Sequence, residues 1–422
     1  MSPSVQLSVL IPALNEAENL KSLLPEVRRV LQELAIDSEI LVVDGGSRDD
    51  TEAAVSGLGA KLVRQRDKGY GKALSDGFLA ARGDYVLTMD ADYSHEPSFI
   101  RSLWEHRNEA ELLIASRYVR GGLADMGRVR AFLSRFLNRV YRAVLDLPYR
   151  DLSSGYRLYR MSALRRVNAE SGGFEFLPEV LVHLYTDGYK IKELPFHYRP
   201  RREGRSHVQL VRFGWAYLKT LLRLRKVRTS VGSADYDDRA FVSWIPLQSY
   251  WQRRRFETIL SCLEVDARVL DVGCGSSRII QTLPRGVGLD SQPKKLRFLR
   301  GRARRLLAGS LTQLPFRDES FPQLVCSEVI EHISKENVDL AELRRVIQPG
   351  GTLVIGTPDY SSWVWRTLER IHGIVFPGGY ADEHINPYTE ASLRQELQIH
   401  GFAVTELHKI CRSEMIFRAI KK

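Results

Sequence analysis

Residues 85–97 read YVLTMDADYSHEP, an apolar run followed by two carboxylates spaced two residues apart. The run Tyr85–Leu87 has the composition of a buried strand, and Asp90 and Asp92 come shortly after it. Two carboxylates this close repel each other unless a positive charge lies between them. A divalent cation with oxygen ligands, carrying a substrate diphosphate, meets that need. A bare Asp-x-Asp more often marks loop carboxylates that face water, so the surrounding sequence has to decide.

The sequence around these carboxylates alternates between strand-like and helix-like segments. Strands are predicted over 6–13, 39–46 and 60–66, and helices over 17–35 and 49–59. Such alternation predicts a mostly parallel sheet covered by helices.

A second alternation of the same kind occupies the C-terminal half. Its helix-like and strand-like segments are 253–263, 268–275, 285–290, 321–329 and 350–358. A small, polar stretch at 227–235 separates the halves and is the best candidate for a linker. We therefore predict two α/β domains, residues 1–228 and 236–422, joined by a linker at 229–235.

Composition limits the class of protein. The four cysteines, Cys262, Cys274, Cys326 and Cys411, are scattered without a CxxC pair, as expected in a reducing compartment. The N-terminus lacks the basic segment of a signal peptide, and no apolar run approaches the roughly 18 residues of a membrane span. We expect a cytoplasmic protein.

Polar or glycine-rich segments follow each predicted strand of the first half. They are 12–16, 44–47, 68–72 and 90–92. Ligands of an open parallel sheet gather outside the carboxyl ends of its strands. Singly each segment is a weak signal, because Asp44 could cap the next helix and Gly69 and Gly71 could only turn the chain. Four such segments on one sheet edge favour a ligand site.

The first half contains a series of specific motifs. They are SVLIPALNEAENL (8–20), ILVVDGGSRDDT (40–51), GYGKALSDGF (69–78), GDYVLTMDADYSHEP (83–97), ASRYVRGG (115–122), DLSSGYRLYR (151–160), GFEFLPEVLV (173–182) and RREGRSH (201–207). These motifs resemble those of the family-2 glycosyltransferases, and within them the dolichyl- and polyprenyl-phosphate mannose synthases. The resemblance covers about residues 5–215 and implies a glycosyltransferase-A (nucleotide-diphospho-sugar transferase, Rossmann-like) fold.

The resemblance implies roles for individual residues. Asp90, Asp92 and Ser94 would hold Mg2+ or Mn2+, with serine where the family often has glutamine. Asp92, Arg117 and Arg201 would be catalytic, since a guanidinium offers paired donors to phosphate. The nucleotide would contact Pro12, Ala13, Asn15, Glu16, Asp44, Asp90, Ala91 and Arg130. The acceptor would contact Ser154, Glu179, Arg201 and His207, with histidine where the family usually has lysine.

The expected reaction is a single inverting displacement. A polyprenyl or dolichyl phosphate is anionic near neutral pH, so its oxygen can attack the anomeric carbon without a dedicated base. Catalysis then reduces to positioning and to stabilising the departing diphosphate. The default donor by resemblance is GDP-mannose, with a UDP-sugar as an open alternative.

A basic amphipathic segment at 208–228 indicates contact with an anionic membrane surface. Between Arg199 and Arg228 there are ten lysines and arginines and one acid, Glu203. On a helix, Val211, Trp215, Leu218 and Leu222 would share one face. Such a helix can lie among lipid head groups. A helix packed on the sheet with a solvated basic face is the alternative. We expect a peripheral enzyme at the inner face of the cell membrane.

In the second half, a strand runs into a glycine turn at 268–275, and a second strand ends in Asp290, placed for a ribose diol. From about Tyr236 onward, this half resembles class I S-adenosylmethionine-dependent methyltransferases, which have a Rossmann-like fold. The resemblance implies that the cofactor contacts Asp271, Gly273, Gly275, Asp290, Ser310, Leu311 and Glu328. Ser277 replaces the third glycine of the usual turn and Ser310 an acidic adenine contact. His332 and His384 could act as a general base or be structural.

Three other functions remain open. The first domain could use a soluble or polysaccharide acceptor, and the second could be a non-catalytic scaffold. A nucleic-acid methyltransferase with a basic binding module would explain the charge of +11, but acids at the strand ends would repel a polyanion. We therefore expect no nucleic-acid partner. The fusion of the two domains suggests a sugar hydroxyl of the glycolipid product as the methyl acceptor.

Overall fold

The computed structural model describes residues 5–200, 210–334, 340–375 and 385–422. The chain divides into two compact units, Met1–Thr229 and Ser230–Lys422. Each unit is built on its own mixed, mainly parallel sheet, as predicted for two α/β domains.

The first unit alternates strands and helices from its start. Its strands are β1 (Leu7–Ala13), β2 (Ser38–Asp44), β3 (Lys61–Arg64), β4 (Tyr85–Thr88), β5 (Leu112–Ser116), β6 (Leu123–Ala124), β7 (Arg157–Arg160), β8 (Ile191–Pro195) and β9 (His197–Tyr198). Its helices are α1 (Ala17–Glu33), α2 (Thr51–Gly57), α3 (Tyr70–Ala80), α4 (Ile100–Glu105), α5 (Arg128–Leu145), α6 (Met161–Leu164), α7 (Phe176–Thr186) and α8 (Leu210–Thr229).

The main sheet of this unit has the strand order β3-β2-β1-β4-β7-β5-β8. All neighbours are parallel except β7, which is antiparallel to β4 and β5. Leu7 and Val9 pack on the α1 side, whereas Leu10 packs on the side covered by α3, α7 and α8. Because β1 is buried on both faces, its sequence is a nearly continuous apolar run.

The second unit repeats this plan with an antiparallel end. Its strands are β10 (Val269–Val272), β11 (Val287–Asp290), β12 (Leu306–Ala308), β13 (Phe321–Ser327), β14 (Ile347–Pro358), β15 (Phe402–Ile410) and β16 (Glu414–Lys421). Its helices are α9 (Tyr236–Phe241), α10 (Pro246–Ser261), α11 (Arg278–Thr282), α12 (Pro293–Leu299), α13 (Leu340–Val346), α14 (Trp363–Val375) and α15 (Glu390–Ile399).

The second sheet has the order β12-β11-β10-β13-β14-β16-β15. Strands β10 to β14 pair with one another in parallel, and β16 is antiparallel to β14 and β15. The strand order reverses direction at β10, so the glycine turn after β10 lies where ligands of such sheets bind. Ser277 caps α11 by accepting a hydrogen bond from the Ile279 backbone N–H.

Candidate active sites

The loops after β1 and β2 are joined by hydrogen bonds. The backbone N–H of Asn15 donates to Ser47 Oγ at 2.9 Å, and Asn15 Oδ1 accepts from the N–H of Arg48 at 2.8 Å. Asn15 has a φ of 56°, a left-handed conformation that asparagine tolerates. Asp49 Oδ2 accepts from the Ala17 N–H at 3.0 Å. The two loops therefore form one surface at the sheet edge.

Asp44 ends β2 and stabilises the turn that follows it. Its carboxylate accepts from the N–H of Ser47 at 3.1 Å and from Ser47 Oγ at 2.5 Å. The residue before α2 is Asp50, so Asp44 does not cap that helix. Its carboxylate is half-buried, and nucleotide binding by Asp44 stays a prediction.

The other predicted nucleotide contacts on this edge follow β1 and β4. Pro12 and Ala13 end β1, and the Glu16 carboxylate accepts from Asn19 Nδ2 at 2.6 Å. Ala91 is buried in the turn after β4. Arg130 lies exposed in the first turn of α5. Arg201 and His207 lie outside the described residues.

The turn after β4 presents oxygen atoms from three side chains. Asp90 is about 29% exposed, whereas Asp92 is 4% exposed and accepts from the Ser94 N–H at 3.1 Å. Ser94 Oγ is fully buried and makes no hydrogen bond to the described residues. A buried hydroxyl without a partner is costly unless a ligand satisfies it. Two carboxylates and this hydroxyl are the hard oxygen donors that Mg2+ and Mn2+ prefer, so the residues fit the implied cation.

His95 fixes the backbone of the same turn. Its Nδ1 accepts from the Asp90 N–H at 2.8 Å, and its ring stacks on Tyr156 with centroids 4.8 Å apart. Burial lowers the pKa of His95, although Asp90 opposes that effect. A neutral imidazole that accepts at Nδ1 carries its proton on Nε2, which lies 3.8 Å from Asp90 Oδ2.

Tyr70 also contacts this turn, and the sequence interpretation assigned it no role. Its hydroxyl donates to Asp90 Oδ1 at 3.2 Å. A Cβ at Gly155 would lie 2.6 Å from the Tyr70 hydroxyl and 3.5 Å from Asp90 Oδ1. Glycine at 155 is therefore required for this tyrosine to reach the carboxylate.

Arg117 follows β5 and is held by acidic and hydroxyl groups. Its Nε and Nη2 donate to the two oxygens of Asp151 at 2.8 and 2.7 Å, and Nη2 also donates to Ser153 Oγ. Burial alone would lower the pKa of Arg117, but Asp151 outweighs it and the pKa is raised. The guanidinium stays charged and fixed in direction. Phosphate binding by Arg117 stays a prediction.

Ser154 and Glu179 occupy structural positions. Ser154 Oγ donates to the carbonyl of Ala115 at 2.8 Å. Glu179 is 1% exposed and accepts from Arg223 Nη2 at 2.7 Å. Acceptor binding by either residue stays a prediction.

Neighbouring helices α5 and α8 expose apolar side chains. On α8, Trp215 is 73% exposed, and Leu218 and Leu222 are also exposed, as the predicted apolar face requires. On α5, Phe132 and Phe136 are exposed and stack with centroids 6.4 Å apart. Exposed basic residues accompany them: Arg128, Arg130, Arg135, Arg139 and Arg142 on α5, and Lys219, Arg225 and Lys226 on α8. Among the described residues, no helix is both long and apolar enough to cross a bilayer.

In the second unit, the glycine turn and the predicted ribose acid lie together. Gly275 N–H donates to Asp290 Oδ2 at 2.8 Å, and the Gln292 N–H donates to Asp290 Oδ1 at 2.7 Å. Gly273 and Gly275 have φ values of 69° and 54°, which favour glycine. Gly309 N–H donates to the Asp290 carbonyl at 3.1 Å. This bond brings the predicted adenine loop to the same edge, where Ser310 is exposed and Leu311 is buried.

Asp271 is a buried acid with an unsatisfied oxygen. It is 3% exposed, and its Oδ2 makes no hydrogen bond to the described residues. Burial, together with Asp290 and Asp237, raises the pKa of Asp271 to about 8. A cationic ligand would relieve this concentration of acids, and S-adenosylmethionine carries a sulfonium and an ammonium group. The residues present therefore fit that cofactor.

Asp237 and Lys295 are at this site and were missed from the sequence. Asp237 Oδ2 accepts from the Ser276 N–H at 2.9 Å and from Lys295 Nζ at 3.3 Å. A Cβ at Gly275 would lie 2.5 Å from that oxygen. Asp237 precedes the glycine turn by nearly forty residues, and no spacing rule connects them.

Glu328 belongs to a group of charges beyond β13. It has a strained φ of 57°, and its Oε2 lies 3.1 Å from Arg255 Nη2. Arg255 also donates to both oxygens of Glu414, at 2.6 and 2.9 Å. Glu331 is fully buried, and burial raises the pKa of Glu331 to about 8. His332 lies in a short 3-10 helix, and His384 is outside the described residues.

A second cluster with metal-ligand chemistry lies elsewhere in this unit. Side-chain atoms of Cys262, Glu406 and His408 are within 4.8 Å of one another. Glu406 already pairs with Arg418 at 2.9 Å, and burial raises the pKa of the Cys262 thiol. Both effects oppose metal binding, and we assign this cluster no role.

Comparison with known families matches each unit separately. The family described as "Glycosyl transferase family 2" matches residues 8–167, and the family described as "Methyltransferase domain" matches residues 270–355. These matches include the turns after β1, β2 and β4 in the first unit and the glycine turn in the second.

Curated relatives resemble about half of the chain. A dolichol-phosphate mannosyltransferase of Pyrococcus furiosus is 33% identical over 232 residues, covering 53% of this chain and 64% of its own length. A low-salt glycan biosynthesis hexosyltransferase of Haloferax volcanii is 29% identical over 224 residues, 51% of this chain and 53% of its own length. The chain thus spans less than two thirds of the length of these relatives.

A solved structure is similar at lower identity. Glucosyl-3-phosphoglycerate synthase from Mycobacterium tuberculosis, in complex with Mn2+, UDP and glucosyl-3-phosphoglycerate, is 24% identical with a TM-score of 0.43. The similarity covers 52% of this chain and 79% of that one.

Proposed function

We propose that this chain is a bifunctional enzyme of lipid-linked sugars, because residues 8–167 match the family described as "Glycosyl transferase family 2" and residues 270–355 match the family described as "Methyltransferase domain". The first domain transfers a sugar from a nucleotide to a polyprenyl or dolichyl phosphate. The second transfers a methyl group from S-adenosylmethionine to the resulting glycolipid. The observation that carries the first activity is the turn at 90–94, where the buried Ser94 hydroxyl lies beside two carboxylates and has no hydrogen-bond partner among the described residues.

The first reaction needs a positive charge beside the leaving diphosphate. Asp90, Asp92 and Ser94 would hold Mg2+ or Mn2+, which would supply positive charge for the departing nucleoside diphosphate. Asp44 and Asn15 lie on the edge that binds the nucleoside, and Asp151 orients the Arg117 guanidinium toward phosphate. A phosphate oxygen of the lipid forms the new bond to the anomeric carbon from the opposite side. The bond to the diphosphate breaks with its electron pair, which inverts the configuration.

The proposed donor is GDP-mannose, with UDP-sugars as the alternative. Its test is a screen of nucleotide sugars against polyprenyl phosphate with Mg2+ or Mn2+, following radiolabel into organic solvent. Transfer that stops when the cation is chelated supports the proposal. Transfer only to a water-soluble or polysaccharide acceptor would overturn the lipid acceptor.

We also place the enzyme peripherally at the inner face of the cell membrane. The exposed apolar side chains of α5 and α8 are accompanied by basic residues, a combination suited to anionic head groups. A lipid phosphate must reach the strand-end site from a bilayer, and this surface would keep the enzyme there. Nucleic acid is not a proposed partner, since acids line the same sheet edge.

Loss of the exposed aromatic residues should release the protein from membranes. We expect wild type to float with anionic vesicles and to detach at high salt. The double variant Trp215→Ser with Phe132→Ser should float several-fold less, because apolar area and charge act together. Trp244→Ser removes a tryptophan that is 88% exposed in the other unit and serves as the control. Equal flotation of all three proteins would contradict the membrane assignment.

The second domain is proposed to bind S-adenosylmethionine at the β10–β11 edge. Asp290 would hold the ribose, and the loop at Ser310 and Leu311 would contact the adenine. Asp271 and Asp237 would lie near the positive groups of the cofactor, with Lys295 near its carboxylate. Glu328, after β13, is a further predicted cofactor contact. Radiolabelled methyl transfer to the glycolipid, but not to free sugar or protein, tests this activity. Calorimetry with S-adenosylmethionine tests the alternative of a scaffold.

Cofactor affinity should increase with pH up to about 8. Burial and neighbouring acids raise the pKa of Asp271 to about 8, so the Asp271 carboxyl of the free enzyme is mostly protonated at neutral pH. A cationic ligand favours the ionised carboxylate, so binding releases a proton below this pKa. The association constant should fall by up to about tenfold per pH unit below 8. Calorimetry across pH in two buffers checks this, and Asp271→Asn should flatten the profile. A flat wild-type profile would contradict it.

A further inference from the structure

Tyr70 supports the proposed cation ligand Asp90. Its hydroxyl donates to Asp90 Oδ1 at 3.2 Å, and its ring stacks on Phe174 with centroids 4.4 Å apart and planes at 17°. A tyrosine hydroxyl is protonated near neutral pH, so it serves as the donor to the Asp90 carboxylate. A carboxylate that accepts a fixed hydrogen bond at one oxygen is held in a defined orientation.

The start of α3, which carries Tyr70, packs tightly on residues 171–173. The Gly71 N–H donates to the Gly172 carbonyl at 2.8 Å. A Cβ at Gly69 would lie 2.3 Å from the same carbonyl oxygen, and one at Gly71 would lie 2.6 Å from the Ser171 carbonyl oxygen. The position of Tyr70 therefore depends on the position of this loop.

The loop is fixed in turn by a helix residue, Arg223 of α8. The Glu179 carboxylate accepts from the N–H groups of Glu170 and Ser171 at 3.1 and 2.9 Å. Arg223 Nη2 donates to Glu179 Oε1 at 2.7 Å and to Ser171 Oγ at 3.0 Å. Glu179 is 1% exposed, so loss of Arg223 would leave a buried carboxylate without its cation.

Helix α8 also carries the exposed residues Trp215, Leu218 and Leu222. One series of contacts thus runs from this helix to the Asp-x-Asp turn. We propose that Tyr70 and Arg223 are positioning residues that hold Asp90 ready for the cation and couple it to α8. A lipid surface that engages α8 then strengthens cation binding. The inference rests on the proposed function, since it needs both the cation and the membrane.

Mn2+ binding tests the positioning role directly. Free Mn2+ is measured by electron paramagnetic resonance for wild type, Tyr70→Phe, Arg223→Gln and Arg223→Lys. We expect about tenfold weaker binding in Tyr70→Phe, as for a lost hydrogen bond to a charged group. Arg223→Gln should weaken binding similarly, and Arg223→Lys should recover part of it. Arg166→Gln, an exposed arginine of the same unit, is the control.

Vesicles test the coupling. Anionic vesicles should tighten Mn2+ binding by wild type and by Arg166→Gln but not by Arg223→Gln. If Tyr70→Phe and Arg223→Gln bind Mn2+ as tightly as wild type does, the positioning role is wrong and the proposed function stands. The coupling is wrong if vesicles change Mn2+ affinity by the same factor in wild type and Arg223→Gln. It is also wrong if vesicles change the Mn2+ affinity of neither protein. A wild-type protein that binds no Mn2+ refutes the proposed function itself. Thermal melting identifies a variant that fails to fold. If Arg223→Gln does not fold, the Mn2+ affinity of Tyr70→Phe decides whether the positioning role is right.

Discussion

Asp92→Asn should greatly slow sugar transfer and leave the first unit folded. Asp92 is 4% exposed, and its Oδ1 accepts from the Ser94 N–H at 3.1 Å, a bond that an asparagine oxygen can keep. The change removes one negative charge from the proposed cation site without changing the size of the side chain. We expect the rate of transfer to polyprenyl phosphate to fall by about 10²–10³-fold, the scale of losing one charge-stabilising group.

The measurement is radiolabel extracted into organic solvent, with the melting temperature as a check on folding. Asp125→Asn is a matched control, because Asp125 is an exposed acid of the same unit whose backbone N–H bonds to the Tyr198 carbonyl. Full turnover in Asp92→Asn would remove this residue from the cation site. Equal losses in both variants would point to instability instead.

Asp290→Asn should have the largest effect on the second activity. Asp290 is 7% exposed and accepts from two backbone N–H groups, those of Gly275 and Gln292. In asparagine, an amide nitrogen replaces one carboxylate oxygen and cannot accept the hydrogen bond from one of these N–H groups. The amide also binds a ribose diol less strongly than a carboxylate does. We expect affinity for S-adenosylmethionine to fall by about 10–100-fold, since hydrogen bonds to a charged group are lost.

Titration calorimetry measures that loss. Asp266→Asn, an exposed acid of the same unit, should bind the cofactor as wild type does. If Asp290→Asn keeps wild-type affinity, the ribose assignment is wrong. Methyl transfer should fall in parallel, because catalysis needs the bound cofactor, whereas sugar transfer should not change.

The fold and the sheet edges could be predicted because they depend on local pattern. Apolar periodicity located β1, β2 and β3 within one or two residues, and the predicted helix at 17–35 is observed over Ala17–Glu33. The carboxyl ends of parallel strands must meet at one edge, so the turns after β1, β2 and β4 could be grouped without coordinates.

The contacts within the sites could not be predicted, because they join residues far apart in sequence. Asp151 pairs with Arg117 across 34 positions, and Arg223 reaches Glu179 across 44. Nothing in the spacing of Tyr70 marks it as a partner of Asp90. The glycine-rich motifs indicated only that the chain turns or packs closely in this region. The structure shows that Gly155 leaves room for Tyr70.

The way α8 ends has a practical consequence. Arg228 is 2% exposed and donates to the carbonyls of Leu145 and Asp146 at 2.9 and 3.1 Å, while Leu221 and Leu224 lie in the core of the first unit. A polypeptide that stops after Thr229 would keep all of these bonds. The two units could then be prepared apart and recombined, to test whether tethering speeds the proposed transfer of glycolipid from the first unit to the second.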